Sequence, residues 1–270
     1  MAVSTVSAGC LATLEQAECA WDDGAASVFA GLDLEVRAGE LLVVLGKNGA
    51  GKSTLLRALA GLLPLRQGRA TLGGVDCRQL DPRARALRAA LVPQELPPLD
   101  DVLVFDFVLA GRYARLPRWR AAPEADLAAT QAALAACDAA EAACATLGTL
   151  SGGARRRVLV ARALAQGAPL LLADEPTNAL DPEHRLQVFD LLARAAREGH
   201  GVVVTTHELD LAGQYADRIV LLDGGRISAQ GRPQEVLCPE ILTPVYGARL
   251  AYANANGGPL VWPARYSPNT

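Results

Sequence analysis

Lysine is almost missing from this chain. Only Lys47 and Lys52 occur, and every other basic side chain is arginine apart from three histidines. Methionine occurs once, and aromatic residues make up 4% of the 270 positions. The six cysteines (Cys10, Cys19, Cys77, Cys137, Cys144, Cys238) form no C-x-x-C pair and none stands near a histidine at metal-site spacing. That excludes the common zinc frameworks and reads the thiols as reduced, small apolar residues. No apolar run reaches the roughly 18 residues of a membrane-crossing helix, so any spanning falls to other chains. The first basic residue is Arg37, so a secretory leader would lack its positive start, and the chain is expected to stay inside the cell. Net charge is −3, which excludes the basic footprint of a non-specific nucleic-acid binder. What remains is 51% hydrophobic composition over a length that suits one large domain, or a domain with a subdomain.

The strongest feature present is Gly46-Lys47-Asn48-Gly49-Ala50-Gly51-Lys52-Ser53-Thr54, a G-x-x-x-x-G-K-S-T run. An apolar, β-prone stretch at 41–45 precedes it, and apolar residues at helical spacing follow over 53–63. Strand, glycine-rich loop and helix in that order cradle phosphate with backbone N–H groups, and the helix adds its positive N-terminal end. Lys52 then reaches the β- and γ-phosphates, and the Ser53 hydroxyl is a ligand for Mg²⁺. A slim ammonium is kept here, where a forked guanidinium would be too wide.

Strands are expected at 11–21, 28–36, 69–76, 89–92, 170–175 and 201–206, with a turn at Asp22-Asp23-Gly24. A hairpin closes around Asp223-Gly224-Gly225. Helices are expected at 82–88, 101–114, 123–144, 155–166, from Pro182 to about 197, and in pieces over 233–246. No strand pattern appears over 95–150, which reads as a helical subdomain inserted into an α/β core. The basic stretch within it (Arg112, Arg115, Arg118 and Arg120, with Tyr113 and Trp119) faces either a membrane surface or partner, or plain solvent. From 251 onward the chain is rich in Gly, Pro and Asn, with no chemistry to assign.

Several single residues fit the same chemistry. Trp21 suits stacking on an adenine, or an ordinary core or surface position. Gln94, at a strand end, suits Mg²⁺ binding and positioning of a water, or mere solvation. Ser151-Gly152-Gly153 opens a helix and makes a second anion site. One nucleotide has no use for two such sites, so the second is expected to face another subunit's γ-phosphate. The buried run 170–173 ends in Asp174 and Glu175. At the carboxyl end of a parallel strand, Asp174 is placed to hold Mg²⁺ and Glu175 to polarise water, or the pair serves only as a turn. Asp181 precedes Pro182 as an N-cap. His207 ends a strand, where it can reach a γ-phosphate, whereas His184 and His200 look exposed.

Taken together and in this order, the pieces resemble the ATP-binding subunits of ABC transporters across about 10–250. The resemblance implies a P-loop NTPase core: a mixed sheet flanked by helices, an antiparallel β part, and an inserted helical subdomain at about 95–165, with 251–270 as a tail. It implies a head-to-tail homodimer holding two ATP molecules. Trp21, Gly46, Asn48, Gly49, Ala50, Gly51, Lys52, Ser53 and Thr54 would bind one nucleotide, completed by Ser151, Gly152, Gly153 and Asp181 of the other copy. Ser53, Gln94 and Asp174 would hold Mg²⁺. Glu175 would activate water, with Lys52, His207 and Gln94 completing the catalytic set. Integral membrane permease subunits, and indirectly a substrate-binding protein, would be the partners, at the cytoplasmic face of the membrane; no nucleic acid is expected.

The segments 108–113 and 231–237 are similar to those of importers of iron-siderophores, haem and vitamin B12. An exporter's ATPase and a non-transport ATPase of the same family are the alternatives, the latter disfavoured by the single phosphate loop and the negative charge. A non-catalytic module follows only if Ala154 is disabling. Ala154 stands where the family signature usually continues with Gln or Glu, and Lys47 where it often has Pro.

Overall fold

The computed structural model describes residues 9–21, 26–95, 99–116, 122–247, 249–255 and 258–264. The chain begins with β1 (Cys10–Cys19), β2 (Phe29–Arg37), β3 (Leu41–Leu45), α1 (Lys52–Leu59), β4 (Gln67–Leu72), β5 (Val75–Asp76), α2 (Pro82–Ala86) and β6 (Ala89–Val92). Then come α3 (Val104–Leu109), α4 (Glu124–Ala136), α5 (Gly152–Gln166), β7 (Leu170–Asp174), α6 (Pro182–Arg197), β8 (Gly201–Thr206) and α7 (Leu209–Tyr215). The last elements are β9 (Arg218–Asp223), β10 (Arg226–Gly231), α8 (Pro233–Val236), α9 (Pro239–Tyr246), β11 (Leu250–Ala255) and β12 (Gly258–Pro263).

Two main sheets result. One has the order β10-β9-β3-β8-β7-β6, parallel except for the β9–β10 hairpin at its edge. Its central strands β3, β7 and β8 are buried at every residue, because helices cover one face while α1 and the antiparallel sheet cover the other. Continuous apolar runs such as Leu41-Leu42-Val43-Val44-Leu45 answer that demand. The other sheet is antiparallel, in the order β2-β1-β4-β5. Its strand β2 alternates buried and open residues, as a half-covered sheet requires. Both sheets share a core around Leu42, Val44, Leu55 and Leu56. This is the mixed-sheet P-loop architecture with an antiparallel part.

The segment between β6 and β7 is helical but more broken than its periodicity predicts. The helix expected over 101–114 is α3 followed by a 3₁₀ turn, Ala110–Ala114. That over 123–144 stops with α4, because Cys137 buries completely and Asp138 turns left-handed at φ 49°. Burial pushes the Cys137 thiol up to about 12, so it is an inert core group. Two of the basic residues have structural duties. Arg115 donates to the carbonyls of Gln166 and Gly167 at 3.1 and 2.8 Å, capping the negative end of α5. Arg112 donates to Asp126 at 2.7 Å and to the Ala165 carbonyl at 2.9 Å. Arg112 is half-buried by these contacts, whereas Arg115 caps the helix and stays exposed to solvent. Arg118, Trp119 and Arg120 lie outside the described residues, as do Asp22-Asp23-Gly24.

Beyond 250 the chain forms the antiparallel hairpin β11–β12, in register from Leu250↔Pro263 to Ala255↔Gly258. It packs on α7. No helix among the described residues is long and apolar enough to cross a membrane.

Candidate active site

β3 delivers the phosphate loop. Gly46 follows its last residue, and a Cβ there would lie 2.5 Å from the Leu222 carbonyl oxygen of neighbouring β9, so only glycine lets the loop leave the sheet. Gly51, the N-cap of α1, has φ 99° and no side chain to cap the helix. The first N–H groups of α1 are left for an anion.

Lys52 is 5% exposed. Its Nζ donates to the carbonyls of Gly46 at 2.8 Å and Lys47 at 3.2 Å, and pairs with Glu175 Oε1 at 3.3 Å. The ammonium is thus fixed by its own loop, with the Glu175 carboxylate as a third partner. Ser53 Oγ donates to Asp174 Oδ1 at 3.1 Å, and Thr205 Oγ1 donates to the same oxygen at 2.7 Å.

Parallel register puts Thr205 of β8 opposite Asp174 of β7. Thr205 also accepts the Glu175 N–H, through its carbonyl at 3.1 Å and its hydroxyl at 3.0 Å. Glu175 itself takes φ 43°, a left-handed conformation that costs a non-glycine residue about 1–3 kcal/mol. Such strain persists only where the surroundings hold it, and here it turns the carboxylate back over the loop. Gln94 Nε2 donates to Glu175 Oε2 at 3.3 Å.

One cleft of about 490 Å³ gathers Trp21, Asn48, Gly49, Gly51, Lys52, Ser53, Thr54, Gln94, Glu175 and His207, with Val28 and Asn178 beside them. Trp21 is 53% exposed, and the Arg57 guanidinium lies over its ring at 5.3 Å. An aromatic kept this open at the mouth of a polar cleft has a free surface for a flat ring. Gly46, Ala50 and Asp174 stand behind the lining. Hard oxygen donors at Ser53 and Asp174, with a neutral amide at Gln94, match the donor chemistry of Mg²⁺.

Besides Gly46, Ala50 and Asp174 behind the lining, four expected residues lie away from this cleft. Ser151, Gly152 and Gly153 open α5 on another surface, together with Asp181. Ser151 and Gly152 are exposed. The Ser151 hydroxyl accepts the Ala154 N–H at 3.3 Å, so the helix caps itself. A Cβ on Gly153 would fall 2.2 Å from the His184 ring. Asp181 accepts both the His184 N–H at 3.0 Å and its ring Nδ1 at 2.7 Å. The His184 backbone N–H, then its ring, hold the Asp181 carboxyl below the usual range. His184, read as a loosely exposed residue, is the wedge between the two motifs.

Sequence reasoning missed Thr205 and Arg156, and it marked Asn178 only as the start of the loop that ends at Asp181. Arg156 of α5 donates to the carbonyls of Pro93 and Gln94 at 3.1 Å, joining the Ser151 helix to the Gln94 loop. Nothing in the sequence marks it, since the contact crosses 62 residues.

Residues 29–178 match the sequence profile described as ABC transporter. The chain is 45% identical over 227 residues to the hemin import ATP-binding protein HmuV of Streptomyces coelicolor, covering 83% of this chain and 79% of that one. It is 39% identical over 217 residues to the cobalamin import ATP-binding protein BtuD of Halobacterium salinarum, covering 80% of this chain and 54% of the longer relative. Among solved structures, one chain of an ABC transporter classed as metal-chelate type, in an inward-facing conformation, superposes with a TM-score of 0.82. The identity is 27%, over 95% of this chain and 98% of that chain. A dimeric cassette bound to ADP and phosphate superposes with a TM-score of 0.72 at 25% identity, over 82% of this chain and 98% of that chain. With this profile match and these relatives, the chain belongs to the ABC transporter family as an ATP-binding subunit.

Proposed function

We propose that this subunit hydrolyses ATP with Mg²⁺, as a head-to-tail homodimer, to drive import of a metal-chelate compound of the haem, cobalamin or ferric-siderophore class through membrane permease subunits. The observation that carries the hydrolysis is the cleft in which Lys52, Ser53, Glu175, Gln94 and His207 converge. The names of the relatives support the cargo class, and the dimeric cassette supports the assembly.

In this reading the phosphate loop and Lys52 bind the β- and γ-phosphates, and the γ-phosphate replaces Glu175 as the third partner of the Lys52 ammonium. The freed Glu175 carboxylate takes a proton from the attacking water as its oxygen bonds to the γ-phosphorus and the bond to the ADP oxygen breaks. Gln94 orients that water, and His207 donates to the γ-phosphate oxygens. Ser53, Asp174 and Gln94 would hold Mg²⁺, whose charge would neutralise the phosphates when bound. Trp21 stacks on the adenine. The exposed Ser151–Gly153 turn, with Asp181, completes the nucleotide site of the second copy.

The reading takes 10–250 as one ATP-binding domain with the helical subdomain at about 95–165. It sits peripherally at the cytoplasmic face of the membrane. The segment from Gln94 to Tyr113 meets a short helix of a permease subunit, where Leu103 and Tyr113 are large apolar residues left 42% and 79% exposed. Residues 96–98 of that segment lie outside the described ones. The permease in turn receives cargo from a substrate-binding protein.

The test is growth of a strain deleted for this chain, with haem or a ferric siderophore as sole iron source. Failure to grow, rescued by the wild-type chain and not by Glu175→Gln, is the expected result. Normal growth of the deletion strain overturns iron-complex import as the sole role and moves the test to cobalamin.

A further inference from the structure

The segment after 247, to which the sequence assigns no chemistry, touches the site from behind. Helix α7 starts two residues after His207. One side of α7 leans on α6: the Tyr215 ring packs on Phe189 at 5.2 Å between centroids, and its hydroxyl donates to Asp190 at 2.9 Å. The other side meets the C-terminal hairpin backbone to backbone. A Cβ on Gly213 would lie 2.0 Å from the Pro259 carbonyl oxygen, and a Cβ on Gly258 would lie 2.5 Å from the Gly213 carbonyl oxygen. Neither glycine has a positive φ. What demands glycine at both places is mutual approach and not backbone conformation. The Cα–H of Gly213 points at the Pro259 oxygen, the geometry of a weak C–H···O contact. Pro259 and Val261 are buried beneath this contact.

We infer that the hairpin Leu250–Pro263 is a brace that fixes α7 and thereby holds His207 at the γ-phosphate position, with Gly213 and Gly258 as its positioning residues. The inference rests on the role proposed above for His207. Its consequence is selective: the brace serves steps that need the γ-phosphate and leaves binding of ADP, which the phosphate loop and Trp21 carry, unaffected.

The test uses the full-length Gly258→Val chain and two measurements. Backbone hydrogen exchange should speed up about tenfold or more across 209–215 and stay unchanged across 41–45, since local opening tracks the contacts that hold a segment. ATP turnover should fall at least about fivefold while ADP affinity stays within about twofold, the split expected when only transition-state contacts are lost. If Gly258→Val does not fold, Val261→Ala keeps the backbone contact and should shift both readouts the same way, by about two- to threefold.

Unchanged exchange across 209–215 overturns the brace. Faster exchange with unchanged turnover, or with ADP affinity falling in step with turnover, overturns the link to His207. A wild-type chain that does not hydrolyse ATP overturns the functional reading instead, and the exchange data then judge the brace alone.

Discussion

Two helix N-termini in this chain serve as anion sites in the proposed reading, and they differ in every other respect. At α1 the cap is a left-handed glycine, the lysine beside it is buried, and two carboxylates and an amide close over the loop. At α5 the cap is an exposed serine already bonded to its own helix, with no cationic side chain on its glycines. The first is a site complete enough to bind a nucleotide. The second is a surface that makes sense only against something else. In the proposed reading, a chain carrying one full site and one half-site of matching chemistry is completed by its own copy, turned head to tail.

The sharpest way to separate the two halves is Glu175→Gln. Turnover should fall about 100-fold or more, the contribution of a general base, while ATP binding by equilibrium titration persists. Unchanged turnover would move the base elsewhere. Gly153→Val attacks the other half. Its side chain must displace His184 at a strain of about 1–3 kcal/mol, so turnover should drop roughly tenfold with nucleotide binding to the separate monomer intact. A loss of monomer binding would mean that the two N-termini serve one site within the chain. Trp21→Ala should weaken nucleotide binding about fivefold, the low end for stacking, because Arg57 already occupies part of the ring. Ala154→Gln restores the residue usual in the family signature and should raise turnover about twofold, the worth of one added hydrogen bond, without changing binding to the monomer. Tyr246→Phe should leave the melting temperature within about 2 °C. Burial drives this phenol up to about 12, no group among the described residues gives it a well-formed hydrogen bond, and removing such a hydroxyl is close to neutral.

The α1 site was largely legible in the sequence because its geometry is local. Strand, loop and helix are contiguous over 41–59, and Asp174 and Glu175 end their own strand. The invisible parts are those that register supplies. Thr205 grips Asp174 and Glu175 only because β8 lies beside β7, and Arg156 reaches the Gln94 loop only because α5 crosses it. The half-site showed its serine and glycines but not the His184 wedge, since a single half-buried ring leaves no periodicity. The contacts of Arg112 and Arg115 with α5 were not legible in the basic stretch, because charge alone does not mark an arginine that caps a helix. The C-terminal hairpin was hidden by composition, although Leu250 and Tyr252 do alternate with small residues as a strand would.

The central claim is completion of one copy's site by the other, and the most direct test is the mass of the Glu175→Gln chain in solution by light scattering. The monomer is 28.2 kDa. With ATP the account predicts twice that mass. It predicts the single mass without nucleotide, with ADP, and with ATP when Gly153→Val is added. A chain that stays monomeric with ATP, or that dimerises regardless of nucleotide and of Gly153, would contradict it.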